Sequence, residues 1–316
     1  MDLLDRKILI ELDKNSRMPN TRIAKAIRSS KDVINYRIAK LQKDGVLTGF
    51  YSLPAMGRIG KRFYKLLLKF QSLGTNQEKT LLDSISKDPH TSWVGSCDGN
   101  WNAIVTFSVE NLQQLNDSVN KISLRYGKFF SRKELLPITM VRMFNEKYLY
   151  PEGKFVFEHK FSLLETPEKL DKKDNVIIKQ VCDNARVSIT DLAKKINLTP
   201  EATAKRVKNL IKSGLIGGFK PRINFTKLGY EYFHVFISVK TPKIANDVIE
   251  FYKMHPSCVA ILEELGYYDM HLEFVVESTQ KFREILKELR NRFGDDIREY
   301  EPLQIYTEYK INPYPS

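Results

Sequence analysis

Apolar residues recur at helical spacing from Leu4 to Leu12 and again from Asn175 to Cys182, so each stretch predicts an amphipathic helix. Short second helices follow over about 20–27 and 189–196. The later one opens with Ser188-x-x-Asp191, a capping-box pattern in which side-chain oxygens satisfy the orphan N–H groups of the first turn. A third helix begins at Ser29/Ser30, or at Thr199-Pro200, where the capping hydroxyl is followed by proline at the first helical position. It ends at Gly45 or Gly214, residues suited to a left-handed C-terminal cap. On the first of these helices Ile34, Ile38 and Leu41 fall at i, i+4 and i+7 and should face a core. The runs Val46 to Tyr51 and Leu215 to Lys220 are then β-prone and broken by glycine, which is how a wing reads.

The pattern next changes to strands. Arg62 to Phe70 and Tyr230 to Val239 are rich in aromatic and aliphatic residues. Each is followed by a helix (about 75–87; 243–254), two strands around Gly99 or Gly266, another helix (about 110–126; 278–293) and a last strand (about 128–142; 297–310). That order, βαββαβ, is the split βαβ pattern of a ferredoxin-like fold. Its sheet carries helices on one face and needs a partner on the other. Two such sheets in one chain can serve each other.

These parallels are an internal repeat. At an offset of 169, residues 5–60 pair with 174–229 without a gap, and 15 of the 56 pairs are identical. They include Asp5/Asp174, Arg17/Arg186, Arg37/Arg206, Leu41/Leu210 and Gly45/Gly214. The match continues more weakly, in a register near 167 around Pro89 and Pro256. The expected fold class is therefore α+β: two winged helix-turn-helix domains (1–60 and 169–229) alternating with two ferredoxin-like domains (61–147 and 230–316), with a linker over 148–168.

Charge sharpens this picture. The formal net charge is +13, and by segment it runs +6 (1–60), +5 (61–164), +7 (165–229) and −5 (230–316). The two helix-turn-helix segments alone hold a sum equal to the whole excess. Cations focused on two segments predict two polyanion-binding surfaces, because phosphate neutralisation dominates nucleic-acid affinity. The third helices should meet double-stranded DNA through Ser30, Lys31, Asn35, Tyr36, Arg37 and Lys40, and through Thr199, Lys205, Arg206 and Lys208. Amides suit adenine edges, and cations suit guanine edges or phosphates. Arg37 and Arg206 can alternatively pair internally with Asp5 and Asp174. Opposite charge on the two sheet segments predicts that they pair within the chain.

Other classes are not favoured by the sequence. Apolar residues make up 42% and charged residues 28%, so true cores are expected rather than disorder. No apolar run approaches the roughly 18 residues that span a bilayer, and Met1-Asp-Leu-Leu-Asp-Arg is charged where a signal peptide would be apolar. A cytoplasmic protein without membrane partners is expected. Cys97, Cys182 and Cys258 are far apart, which predicts ordinary core thiols rather than disulfides or structural zinc.

Leu4-Asp5-Arg6-Lys7-Ile8-Leu9, Tyr36-Arg37-Ile38-x-x-Leu41-x-x-x-Gly45-Val46-Leu47 and Gly266-Tyr-Tyr-Asp269 before an apolar strand are similar to signatures of the leucine-responsive regulatory protein/AsnC (Lrp/AsnC) family of transcription regulators. The resemblance covers nearly the whole chain, as two fused members. It implies a winged-helix reader joined to a RAM-type sensing and oligomerisation domain, with a small molecule such as an amino acid as effector. Effector contact then falls on Gly99 and Asn102 in the first copy and on Gly266, Tyr268 and Asp269 in the second. Asparagine at 102 against aspartate at 269 implies sites of unequal charge. Pairing between the two RAM-type sheets is expected, with further homo-oligomerisation open.

Siroheme decarboxylases share this architecture and also occur as fused pairs, so an enzyme is the alternative. Their loop histidine has Gly99 or Gly266 in its place here. His90, His159, His234, His255 and His271 form no H-x-x-H or similar cluster. Nucleotide-loop and serine-elbow motifs are missing. The adjacent carboxylates Glu263-Glu264 and Asp295-Asp296 read as solvated charge. The sequence thus predicts no catalytic residue, metal or cofactor, and a protein that is not an enzyme. A sensor that has lost DNA binding and acts through protein contacts is the third reading.

Overall fold

The computed structural model describes residues 1–151, 154, 156–312 and 314. The first copy runs α1 (Leu3–Lys14), α2 (Asn20–Ala26), α3 (Lys31–Lys43), β1 (Leu47–Pro54), β2 (Arg62–Phe70), α4 (Thr75–Ser86), β3 (Thr91–Asp98), β4 (Ala103–Val109), α5 (Leu112–Tyr126) and β5 (Phe130–Phe144). A short strand, β6 (Glu158–Ser162), intervenes. The second copy repeats the order as α6 (Lys172–Asp183), α7 (Ile189–Ile196), α8 (Pro200–Lys212), β7 (Ile216–Ile223), β8 (Glu231–Val239), α9 (Pro242–Met254), β9 (Cys258–Glu264), β10 (Met270–Val276), α10 (Thr279–Phe293) and β11 (Ile297–Ile311). Elements start 169 residues apart as far as β8 and 167 apart from α9 onward, because the turn after β8 is two residues shorter than the turn after β2.

The helices form where their caps and apolar spacing require. Asp2 caps α1 by accepting from the Asp5 N–H at 2.9 Å, and Asp171 caps α6 by accepting from the Asp174 N–H at 2.8 Å. Ile8, Leu9 and Leu12 on α1, and Ile177, Ile178 and Val181 on α6, are fully buried. The chain gathers into two compact units, one of Met1–Ala55, Phe144–His159 and Glu168–Tyr230, the other of Met56–Met143, Lys160–Pro167 and Glu231–Ser316. Each unit contains both copies of its part of the repeat.

The structure adds two things to the expected first unit. The segments read as wings pair with each other across the copies, β1 antiparallel to β7, with Phe50 opposite Pro221 and Tyr51 opposite Lys220. The reason is burial: Leu47, Phe50 and Leu53 on β1, and Ile216 and Phe219 on β7, cover the first helix of the opposite copy, β1 against α6 and β7 against α1. The expected linker over 148–168 is corrected: it is not a bare linker. Tyr148, Leu149 and Tyr150 are buried, and Arg6 donates to the Leu149 and Tyr148 carbonyls at 2.7 and 3.0 Å. Leu163 is buried in the second unit, where its N–H donates to the Thr139 carbonyl at 2.8 Å. Residues 152, 153 and 155 of this segment lie outside the described residues.

In the first unit Lys220 is fully buried between Asp13 at 2.8 Å and Glu146 at 2.9 Å, and donates to the Phe144 carbonyl at 2.8 Å. Burial alone would lower its pKa, but the two carboxylates outweigh it and hold Lys220 well above the usual lysine range.

In the second unit the strand order is β2-β4-β3-β11-β8-β10-β9-β5-β6, and β2 also pairs with β5. Eight strands thus close into a ring, with β6 added outside β5. Within the ring each copy keeps the ferredoxin-like order, and the copies join edge to edge through β3–β11 and β9–β5. Helices α4 and α5 cover the outer face of the first copy's strands, where Leu66, Leu68, Leu82, Val105 and Phe107 are buried. The inner face is polar in part. Lys65 on β2, Glu264 on β9 and His234 and His271 on β8 and β10 are all buried there. Cations of the first copy meet acids of the second, Arg142 with Glu263 and Lys65 with Glu264, each at 2.8 Å.

Candidate nucleic-acid interface

Helix α3 is fixed by its N-cap and by its core. The Ser30 hydroxyl oxygen accepts from the Val33 N–H at 3.2 Å, and Ile34, Ile38 and Leu41 are buried. On α8, Thr199 accepts from the Ala202 N–H at 3.2 Å, and Thr203, Val207 and Leu210 are buried at the matching positions. Ser30 and Thr199 are therefore caps first, with a hydroxyl proton left to donate to a phosphate. Burial of one face leaves Lys31, Asn35, Tyr36 and Lys40 exposed on α3, and Lys205 and Lys208 exposed on α8. Tyr36 is 67% exposed, unusual for a large aromatic side chain in a well-packed helix.

Arg37 and Arg206 point elsewhere. Arg37 pairs with Asp2 and Asp5, and Arg206 pairs with Asp171 and Asp174, both at 2.8 Å. Each arginine ties a third helix to the cap of the first helix in its own copy. The Asp5 N–H and Arg37 hold the Asp2 carboxyl below its ordinary pKa, and the Asp174 N–H and Arg206 do the same for Asp171. With two carboxylates already facing each guanidinium, these two are not free phosphate ligands.

Two arginines that are identical across the repeat, Arg17 and Arg186, stand beside this cationic face. Arg186 donates to the Ser16 and Met18 carbonyls at 2.7 and 3.2 Å and to the Asn20 side-chain oxygen at 3.0 Å. Asn20 in turn donates to the Asn35 side-chain oxygen at 2.8 Å. A second-copy arginine thus orients, through Asn20, the exposed Asn35 amide on α3. Arg17, Asn20, Lys31, Asn35, Arg186 and Ser188 line one open groove. Identity of Arg17 and Arg186 across the repeat was the available signal, but it did not show that each works on the other copy.

The positions expected to hold an effector are occupied by the fold. Asn102 Oδ1 accepts from the Phe70 N–H at 2.9 Å, and Asp269 Oδ2 accepts from the Val239 N–H at 2.7 Å. The two residues are repeat mates and satisfy equivalent strand ends, so the difference in charge does not mark two free ligand sites. Tyr268 is buried, and burial pushes its phenol up to about 12. Gly99 has φ +139, and a Cβ there would lie 2.5 Å from Leu303 Cδ2; Gly266 has φ +133, with Leu136 Cδ2 at 2.9 Å. Both glycines serve a tight turn against the opposite copy.

Three comparisons bear on this geometry. A family model described as winged helix-turn-helix DNA-binding matches residues 1–48 and 170–216, the helical part of each copy. The HTH-type transcriptional regulator LrpA of Pyrococcus horikoshii is 41% identical over 61 residues, 19% of this chain and 43% of that protein. An uncharacterised HTH-type transcriptional regulator of the same organism, PH1055, is 32% identical over 126 residues, 38% of this chain and 77% of that protein. The chain belongs to the Lrp/AsnC family. As a tandem Lrp/AsnC protein it combines helix-turn-helix and α+β ferredoxin-like parts, and among its described residues no helix is long and apolar enough to cross a membrane.

The expectation that this Lrp/AsnC protein is not an enzyme is corrected. A solved structure of the siroheme decarboxylase NirDL superposes with a TM-score of 0.66 at 14% identity, over 99% of this chain and 94% of that one. The likeness is one of fold, and it runs end to end, so missing sequence motifs do not separate regulator from catalyst in this architecture. The histidines, which form no cluster along the sequence, are not all isolated in space: His234 and His271 lie 5.2 Å apart between ring centroids. The available signal was a polar residue interrupting an apolar strand, as at Lys65 and His234.

Proposed function

We propose that the chain is a sequence-specific transcription regulator that binds double-stranded DNA through α3 and α8, one chain supplying two unlike readers. The observation that carries this reading is the pair of capped, core-anchored third helices whose outward faces are cationic. The faces differ: α3 offers Lys31, Asn35, Tyr36 and Lys40, while α8 offers Lys205 and Lys208 behind Glu201. An asymmetric site suits them better than a perfect palindrome. The domains act as two-plus-two, readers at 1–60 and 169–229 and ferredoxin-like partners at 61–147 and 230–316, paired within the chain. An amino-acid effector is supported by family likeness alone, since Gly99, Asn102, Gly266, Tyr268 and Asp269 are engaged in turns, packing and strand ends.

The test is genome-wide DNA pull-down with the full chain, repeated with Lys31→Gln/Asn35→Ala and with Lys205→Gln/Lys208→Gln. Each variant is expected to lose one half of the bound motif and to lower the salt slope of affinity by about 1 for each phosphate contact removed. Unchanged affinity and unchanged slope in both variants would overturn the reading.

A second reading is favoured by the end-to-end likeness to NirDL: tetrapyrrole binding by the second unit. A shift in the Soret band of an iron tetrapyrrole on adding the chain supports it, and an unshifted band disposes of it.

A further inference from the structure

Strand register inside the second unit brings three metal-ligating side chains together. His271 and Glu273 are two residues apart on β10 and so share a face, and Glu273 lies opposite His234 on β8. The three offer one donor atom each within 4.8 Å of one another. His271 Nε2 is 3.1 Å and His234 Nε2 is 3.8 Å from Glu273 Oε1. Ligands about 2.0–2.1 Å from a tetrahedral ion stand roughly 3.4 Å apart, so a small closure of the His234 ring suffices.

We propose that His234, His271 and Glu273 form a binding site for one divalent first-row metal ion, with zinc(II) as the natural probe.

Several observations converge on it. His234 is 3% exposed, yet neither ring nitrogen has a hydrogen-bond partner, an arrangement that costs free energy unless something ligates the ring. His271 already has the supporting shell of a metal ligand: its Nδ1 lies 3.1 Å from Glu264 Oε1, which directs Nε2 toward Glu273. The remaining oxygen of Glu273 accepts from the Tyr232 hydroxyl. Trp93 stacks on His234 at 5.7 Å and Phe236 on His271 at 5.0 Å, holding both rings in place. Formal charge points the same way. With imidazoles counted neutral, Glu264 and Glu273 carry two negative charges against the single ammonium of Lys65, so a cation completes the cluster.

Lys65 is the competitor. Its Nζ lies 2.7 and 3.0 Å from the two ring nitrogens of His271 and 2.8 Å from Glu264 Oε1. A bound ion pushes it toward Glu264. The site is also single. The repeat mates of His234, His271 and Glu273 are Lys65, Ile104 and Thr106, which cannot form a matching triad.

The experiment uses the full chain, stripped of metal, titrated with zinc(II) and cobalt(II). Expected are one equivalent retained per chain after desalting, cobalt absorption bands of a nitrogen–oxygen site, and a melting temperature that rises with zinc because only the folded state binds it. Glu273→Gln and His234→Asn should each weaken binding at least ~10-fold, the scale of losing a ligand's supporting or direct contact, and His255→Asn should not. Lys65→Met should tighten it by removing the competing ammonium. Should the variants fold poorly, the wild-type stoichiometry and the zinc-dependent melting temperature still decide. No retained metal with an unmoved melting temperature, or equal retention by well-folded Glu273→Gln and His234→Asn, overturns the proposal.

Discussion

Arg17 donates to the carbonyl of Ala185, and Arg186, 169 residues later, donates to the carbonyl of Ser16: two repeat mates clasp each other's turns. Each also lies over an aromatic ring of the strand pair, Arg17 over Phe219 at 5.8 Å and Arg186 over Phe50 at 4.4 Å. Burial lowers both guanidinium pKa values without neutralising either.

Replacing either arginine by methionine keeps the stem but leaves carbonyls without a donor. Loss of charged hydrogen bonds of this kind costs about 2 kcal/mol per site, read from urea unfolding of the full chain. Arg186→Met should additionally weaken DNA binding, because Asn20 loses its anchor and with it the set orientation of Asn35. Arg17→Met should leave affinity nearer to wild type. Equal affinity loss in both would mean that the Asn20–Asn35 link is not the reason.

Lys220 predicts a larger effect. Lys220→Met strands Asp13 and Glu146 in the interior, and breaking a buried ion pair from one side costs about 3–5 kcal/mol. Asp13→Asn in the same background should recover part of that loss, measured by a double-mutant cycle in urea.

His159 and Gly218 make a third test. A Cβ on Gly218 would lie 2.1 Å from His159 Cε1, so Gly218→Ala is expected to destabilise and His159→Ala to rescue it in the double variant. Burial first, and then Lys220, push the His159 imidazole down to about 4, with Asp13 and a Gly217 backbone hydrogen bond opposing. A histidine whose pKa is depressed by folding contributes stability that is present above the unfolded value of about 6.5. That stability is lost as pH falls from there through 4. His159→Phe should flatten the stability curve across this window, monitored by thermal melts at closely spaced pH.

Arg37 supplies a negative prediction. Its guanidinium faces Asp2 and Asp5, so Arg37→Gln should leave the salt slope of DNA binding unchanged, whereas Lys31→Gln should lower it. A drop of equal size in both variants would place Arg37 on phosphate.

Features legible in the sequence were those written locally. Ser30, Thr199-Pro200, Gly45 and Gly214 bracket the third helices because capping chemistry needs only neighbours a few residues away. The strand pairing of β1 with β7 was not legible, since its partner lies in the other copy and a lone β-prone run after a helix-turn-helix looks like half of a hairpin. The family resemblance implied effector contact at Asn102 and Asp269, whose actual bonds run to N–H groups some 30 residues upstream, which no spacing rule reveals. The inner cluster was hidden for a similar reason: Lys65, His234, Glu264 and Glu273 come from four strands and meet only when the ring closes.

That cluster has a consequence for inheritance. Lys65 meets Glu264, whereas their repeat mates are His234 and Cys97, and Lys220 meets Asp13, whereas theirs are Tyr51 and Cys182. Pairing like with like would set Lys65 beside a thiol in one product and Glu264 beside an imidazole in the other, each a buried ion without its opposite. Such substitutions are easy to accumulate while both copies travel in one chain and hard to reverse one at a time. The duplication has therefore become a ratchet, and a gene split at its middle would yield two polypeptides that each require the other and cannot substitute for it.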